Sequence, residues 1–220
     1  MNTDFVIINT NARSLCPKIN SFIDCFEEME ASLAVVTETW LTDGQALQDD
    51  IQDLELGSKI KLLARNRTPS VNGVCHGGVA IAFRNDRCSL AEVHMGNPDN
   101  YEVMVAAGSV PGHSRKLVVI AAYVPPNYTR ARGLGCLGYI AEVVLAMKRK
   151  YRQPYVVVAG DFNQWQVDQS LADFSYVDEV RVGPTRGSRA IDRIFVSIGQ
   201  WDGTVVESGS LPPLLSLIHI

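Results

Sequence analysis

A chain of 220 residues with 46% hydrophobic composition can bury one substantial core and is short for two independent ones. Its formal net charge of −4 excludes binding to nucleic acid through overall charge, because neutralising phosphates takes clustered Lys and Arg. The five cysteines (Cys16, Cys25, Cys75, Cys88 and Cys136) are scattered with no CxxC pair, which argues against a disulfide framework or a zinc site and fits a reducing, intracellular compartment.

The chain opens Met1-Asn2-Thr3-Asp4 and then meets only a strand-length apolar run, Phe5 to Ile8, so no signal peptide is expected; no run approaches membrane-spanning length. Pro17 suits an opening helical turn, and Ile19, Phe22, Ile23, Phe26 and Met29 repeat at helical spacing. Leu33 to Val36 reads as a strand. Val79 to Phe83, Tyr101 to Ala107 and Leu117 to Ala122 are strand candidates with no helix between them, which predicts an antiparallel meander. Leu137, Ile140, Val143, Val144 and Met147 predict a second helix, stopped by Gln153-Pro154. Tyr155 to Ala159 and the more broken Ile191 to Val196 complete the strands. Two sheets packed face to face with helices outside is the economical architecture for that order. Of the basic clusters, Lys148-Arg149-Lys150 with Arg152 reads as a solvated helix end, and Arg181, Arg186, Arg189 and Arg193 form a second group.

Polar groups follow four of the apolar runs: Asn9 and Asn11, Glu38, Tyr123, and Asp161 with Asn163. Turn chemistry explains any one of these, but four strand ends would collect them at one rim. In Gly160-Asp161-Phe162-Asn163, strand alternation sends Asp161 and Asn163 one way and Phe162 towards packing. A carboxylate beside an amide can take a proton from water and donate to a phosphoryl oxygen. Glu38 is a hard oxygen ligand and Asn11 could add a carbonyl; without a His/Cys cluster, such ligands favour Mg²⁺ or Mn²⁺ over zinc. Tyr123, ahead of Val124-Pro125-Pro126, sits at a rigid turn from which its hydroxyl can donate to phosphate.

Taken together, Asn9-Thr10-Asn11-Ala12-Arg13-Ser14-Leu15, Glu38-Thr39-Trp40, Gly77-Gly78-Val79-Ala80-Ile81, Tyr123-Val124-Pro125-Pro126, Gly160-Asp161-Phe162-Asn163 and Ile191-Asp192-Arg193-Ile194-Phe195 resemble the endonuclease/exonuclease/phosphatase superfamily. Within it the chain resembles the apurinic-like endonuclease domain of non-LTR (LINE-type) retrotransposons, from near Phe5 to about Pro212. The resemblance implies a four-layered α/β sandwich of two mixed, largely antiparallel sheets flanked by helices. It implies Asn11 and Glu38 around a Mg²⁺ or Mn²⁺ ion, Tyr123 on the phosphate, Asp161 activating water, Asn163 stabilising the transition state and Asp192 orienting a histidine. Thr185 and Arg186 would contact substrate. DNA would be the partner, the nucleus the place of action, and a reverse transcriptase polyprotein the parent of the domain.

One departure matters. Where the family closes its site with Ser-Asp-His, an apolar residue and Pro, this chain reads Ser208-Gly209-Ser210-Leu211-Pro212. Gly209 replaces the acid and Ser210 the histidine, which removes the group best suited to proton work near neutral pH. His76, His94, His113 and His219 read as ordinary surface or turn histidines. The motifs assign residues 1–213 to one domain, C-terminally truncated, and leave 214–220 as an unassigned tail, the family's last strand being expected to be missing. Two functional expectations follow: an active DNA-nicking endonuclease, and a degenerate copy that keeps only metal or nucleic-acid binding.

Overall fold

A computed structural model describes residues 5–41, 59–65, 76–97, 99–165 and 191–197, and the backbone alone at 178–180, 207–211 and 215–219. In chain order its elements are β1 (Val6–Asn11), α1 (Ile19–Glu28), β2 (Leu33–Thr37), β3 (Ile60–Arg65), β4 (Val79–Arg84), β5 (Ser89–Glu92), β6 (Glu102–Ser109) and β7 (Lys116–Tyr123). There follow α2 (Arg130–Lys150), β8 (Tyr155–Asp161), β9 (Asp178–Val180), β10 (Asp192–Val196), β11 (Glu207–Leu211) and β12 (Leu215–His219). One sheet runs β11-β12-β1-β2-β4-β3 and the other β5-β6-β7-β8-β10-β9. The pairs β1/β2 and β7/β8 are parallel, and every other pairing among the described strands is antiparallel.

The period of two along each strand builds the layers. Ile7, Leu33, Val35, Ile81, Met104, Val119, Val157 and Ile194 meet in the space between the sheets. Their sequence neighbours point outward: Val6, Ile8, Ala34 and Val36 pack against Phe22, Ile23 and Phe26 of α1. On the other side Val103, Val105, Val118, Ile120 and Val156 pack against Leu137, Ile140, Val143 and Val144 of α2. The result is the expected four layers. Because most strands are covered on both faces, they read as continuous apolar runs rather than as alternations.

Three details differ from expectation. The meander predicted from Val79 to Tyr123 is broken: β4 leaves it to pair with β2 and β3 in the first sheet, and the hairpins of the second sheet are β5-β6-β7. The short strand β5 has three half-exposed or exposed positions and a single buried one, Leu90, too weak a pattern to be seen in sequence. Helix α2 begins at Arg130, about two turns ahead of the apolar residues that mark it in sequence, capped by the Thr129 side chain accepting from the Arg132 amide at 3.3 Å. Its early glycines lower helix propensity, but Gly133 has a packing reason, since a Cβ there would lie 2.3 Å from the Trp165 ring. The third difference is at the end of the chain. Leu215–His219 forms β12, inserted between β1 and β11, where the sequence left an unassigned tail and a missing last strand.

Gly160 marks a very tight approach in the second sheet. It lies opposite Ala122, and a Cβ on it would stand 1.7 Å from the Ala122 carbonyl oxygen, a backbone atom that cannot step aside. Gly160→Ala is therefore expected to lower stability by on the order of 3 kcal/mol, read as a fall in urea midpoint at unchanged slope. A loss below about 1 kcal/mol would show that β7 and β8 separate more readily than this contact requires.

Candidate active site

The rows of residues that fill the space between the sheets all end in polar groups at one open end. Following the row through Ile7 along β1 leads to Asn9 and Asn11; through Val119 and Ala121 along β7, to Tyr123; through Val157 and Ala159 along β8, to Asp161. Strands running the other way begin where these finish, so Asp192 starts β10 and Glu102 starts β6 at the same end. Asp192 stands opposite Asp161, and Tyr123 lies beside Asp161 on its other flank. Glu102, a buried carboxylate, carries neither a motif nor a strand-end signal in the sequence, because it precedes its apolar run.

Asn11 joins the two principal acids. Its side-chain nitrogen donates to Glu38 Oε1 at 2.9 Å and to Asp161 Oδ2 at 2.7 Å, while its oxygen accepts from the Arg13 amide at 3.2 Å. The Tyr123 hydroxyl donates to Glu38 Oε1 at 3.1 Å. Burial, followed by the Glu38 charge, pushes the Tyr123 phenol well above its usual range, so it stays a proton donor. Glu38 is placed by a left-handed backbone (φ 49°), a conformation that costs a non-glycine residue about 1–3 kcal/mol and persists only where neighbours hold it. The Ser14 amide donates to the Glu38 carbonyl, and the Thr39 and Trp40 amides donate to Gly78 and Gly77.

Asp161 is 1% exposed. Its Oδ1 accepts from the Asn163 amide at 2.8 Å. Burial, and then the Asp192 charge, raise its pKa to about 6, against the lowering effects of the Asn11 and Asn163 hydrogen bonds. Strand β8 ends at Asp161, so the alternation expected to align Asn163 with it stops short. Asn163 instead takes a left-handed backbone (φ 49°), and its side-chain nitrogen donates to the Val124 carbonyl at 3.0 Å. Phe162 turns inward as expected, fully buried and edge-on to Phe195.

Thr185 and Arg186 lie outside the described residues. Gly209 and Ser210 fall on β11; Ser210 pairs with Ser216 of β12, which in turn pairs with Asn9 of β1. The place of the family's histidine is thus two strands from Asn9. No described histidine takes it over: His113 contacts Tyr155 at the far end of β8, His94 is exposed near Glu92, and His76 lies edge-on to Trp40 at the rim.

The donors suit a hard cation. Among the described residues no three His, Cys, Asp or Glu side chains form a ready-made cluster, which leaves Glu38 and Asp161, spaced by Asn11, as oxygen ligands with the rest of a shell open. Mg²⁺ is held in this way, through one or two carboxylates with the remaining positions for water and phosphate oxygens. Burial first, and then the charge of Asp192, disfavour the ionised form of Asp161, and a cation there would offset both.

An open sandwich end lined with acids, an amide and a phenol suits phosphoester hydrolysis assisted by a hard cation, and that is the class of enzyme this fold and site define. The chain belongs to the endonuclease/exonuclease/phosphatase family, whose model matches residues 2–213. Members of that family are metal-dependent phosphodiesterases, nucleases and phosphatases. Solved structures agree on the fold. The endonuclease domain of TRAS1, a telomere-specific non-LTR retrotransposon, is 13% identical with TM-score 0.64, covering 99% of this chain and 98% of that one. Humanised TDP2 from D. rerio is 13% identical with TM-score 0.70, covering 99% of both chains. The 3′ phosphatase NExo from Neisseria, bound to a product DNA hairpin, is 14% identical with TM-score 0.67, covering 97% and 98%. At such identities the likeness carries the fold alone. A search of curated proteins finds no match to the chain.

The Asp161 environment has a measurable consequence. A carboxyl whose folded pKa is raised from 3.8 to about 6 contributes stability that is fully present below pH 3.8 and is lost as pH rises through about 6. In EDTA, urea unfolding from pH 4 to pH 7 should therefore show Asp161→Asn gaining on the unmodified chain, by up to about 3 kcal/mol, with no further gain above pH 7. Parallel curves for the two proteins would mean that Asp161 is not strained by its charge.

Proposed function

We propose that the chain is a metal-dependent DNA endonuclease of the non-LTR retrotransposon kind, which hydrolyses a phosphodiester to nick target DNA for reverse transcription. The observation that carries this reading is the single hydrogen-bonded unit of Asn11, Glu38, Tyr123 and Asp161 at the open end of the sheets. DNA as substrate, and the retrotransposon kind, are supported by the Asn9 to Leu15 and Glu38 to Leu41 segments and by the shared fold of the TRAS1 domain. On this reading the domain derives from a reverse transcriptase polyprotein and acts in the nucleus.

Glu38, with Asp161 and the Asn11 amide beside it, would hold Mg²⁺ or Mn²⁺, which supplies positive charge to the phosphoryl oxygens. Tyr123, kept as a phenol, donates to a phosphate oxygen. Asp161 takes the proton of the attacking water, its carboxylate fixed by Asn11 on Oδ2 and by the Asn163 amide on Oδ1. Asn163 lies within reach of the same oxygens once its amide leaves the Val124 carbonyl. Thr185 and Arg186 contact the DNA beyond the scissile phosphate. Asp192 has no imidazole to orient, because Ser210 stands where the histidine belongs, so the leaving oxygen must take its proton from solvent.

That substitution favours a second reading, a copy that binds metal or DNA without cleaving it. A supercoiled-plasmid nicking assay in Mg²⁺ separates the two. The unmodified chain should nick slowly, Asp161→Ala should abolish nicking, and Gly209→Asp combined with Ser210→His should raise the rate by about 10²–10⁴. Plasmid binding without nicking by the unmodified chain would establish the binding-only copy. A folded Gly209→Asp/Ser210→His protein that never nicks would sink the assigned mechanism.

A further inference from the structure

The geometry points to Glu102 as a positioning residue: from beneath the Gly77-Gly78 turn it holds the backbone that presents the Glu38 carboxylate. Glu102 is 7% exposed, and a carboxylate in such a place costs desolvation that only specific hydrogen bonds offset. Its Oε2 accepts from the Gly78 amide at 2.7 Å. The turn is shaped around it, because both glycines have left-handed backbones (φ 89° and 87°) and a Cβ on Gly77 would stand 2.3 Å from Oε2.

What the turn does explains why it is held. The Gly77 carbonyl accepts from the Trp40 amide at 2.9 Å and the Gly78 carbonyl from the Thr39 amide at 3.4 Å. These bonds fasten the segment immediately after Glu38, in which Glu38 and Trp40 both have positive φ (49° and 52°). Glu38 is therefore gripped from three sides. The Ser14 amide holds its carbonyl, Tyr123 and Asn11 hold its carboxylate, and the Glu102-supported turn holds the chain beyond it. Glu102 also lies opposite Tyr123, the phenol donor to Glu38, in the β6/β7 register. The strain at Glu38 and Trp40 persists only while something external holds it, and the Glu102 carboxylate is the one acid that reaches this turn among the described residues.

The role of Glu38 as a cation-holding carboxylate is taken from the functional reading above, so the test has one arm that does not depend on it. Amide hydrogen exchange is compared in the full chain for the unmodified protein, Glu102→Ala, Glu102→Gln and Gly77→Ala, in EDTA. Glu102→Ala should speed exchange at Thr39, Trp40 and Ser14 by about tenfold or more and leave the amides of β6 and β7 unchanged; Glu102→Gln, whose amide oxygen still accepts from Gly78, should restore protection. Gly77→Ala, which pushes the carboxylate aside, should reproduce the local loss even if Glu102→Ala fails to fold. In the second arm, calorimetric titration with Mn²⁺ should show affinity falling about tenfold or more in Glu102→Ala and recovering in Glu102→Gln. Unchanged exchange at Trp40, exchange raised equally through β6 and β7, or a Glu102→Gln protein no better than Glu102→Ala would each overturn the proposal. Failure of the unmodified chain to take up Mn²⁺ would overturn the functional reading and, with it, the assigned purpose of the grip, while the exchange arm still decides whether Glu102 positions Glu38.

Discussion

Two carboxylates from different sheets face each other at the open end of the molecule, and the amide nitrogen of Asn11 is what lets them do so. Like charges brought close in a poorly hydrated place repel, and the repulsion would prise the sheets apart or protonate one partner. Asn11 interposes two N–H donors, one to Glu38 and one to Asp161, and charge-assisted bonds of this kind are stronger than neutral ones. A layer deeper, the Asn9 amide donates to the Gly160 carbonyl across the same gap. The first sheet thus reaches the second through two side chains of β1, Asn9 and Asn11. The pKa of Asp161 still rises in spite of both hydrogen bonds that lower it, through burial first, then the charge of Asp192, and least of all that of Glu38.

Backbone strain gathers around the same point. Arg13, Ser14, Glu38, Trp40 and Asn163 all have positive φ, and every one of them lies within a few residues of Asn11, Glu38 or Asp161. Ordinary turns would give these places to glycine. Here side chains are kept at the expense of strain, and a lattice of backbone hydrogen bonds from residues 12–15 to residues 37–39 and from 39–40 to 77–78 holds them. The sheets supply a rigid rim, the strained loops supply direction, and neither is sufficient by itself to place a carboxylate within tenths of an ångström.

How much of this could be read from sequence followed from burial. Strands covered on both faces, such as β7 and β8, are unbroken apolar runs and were legible almost to the residue. Strands of mixed environment were not: β3 alternates between buried and half-exposed positions, and β5 has one buried residue. Sheet membership was the harder problem, because nothing local tells β4 that its partners are β2 and β3 rather than β6; that is decided by which faces α1 and α2 cover. In the site, Asn11, Glu38, Tyr123 and Asp161 were legible because they end strands that run towards the rim. Glu102 was not, since it begins a strand that runs away from it. The link between Asn163 and Asp161 was foreseen as a shared side-chain direction, whereas it is made by the Asn163 backbone amide.

The loss of the acid and the histidine at Gly209 and Ser210 is compatible with everything else being kept, and the topology gives the reason. Strand β11 is the edge of its sheet, fastened through the backbone pairing of Glu207 to Leu211 with β12, which any residue other than proline can make. By contrast Asn11, Tyr123 and Asp161 are joined with Glu38 in one hydrogen-bonded unit that bridges the sheets, so that replacing one would disturb the others. On the second reading proposed above, relaxed constraint on cleavage would erode β11 before the buried rim, and Gly209 and Ser210 beside Asn11, Glu38, Tyr123 and Asp161 fit that order.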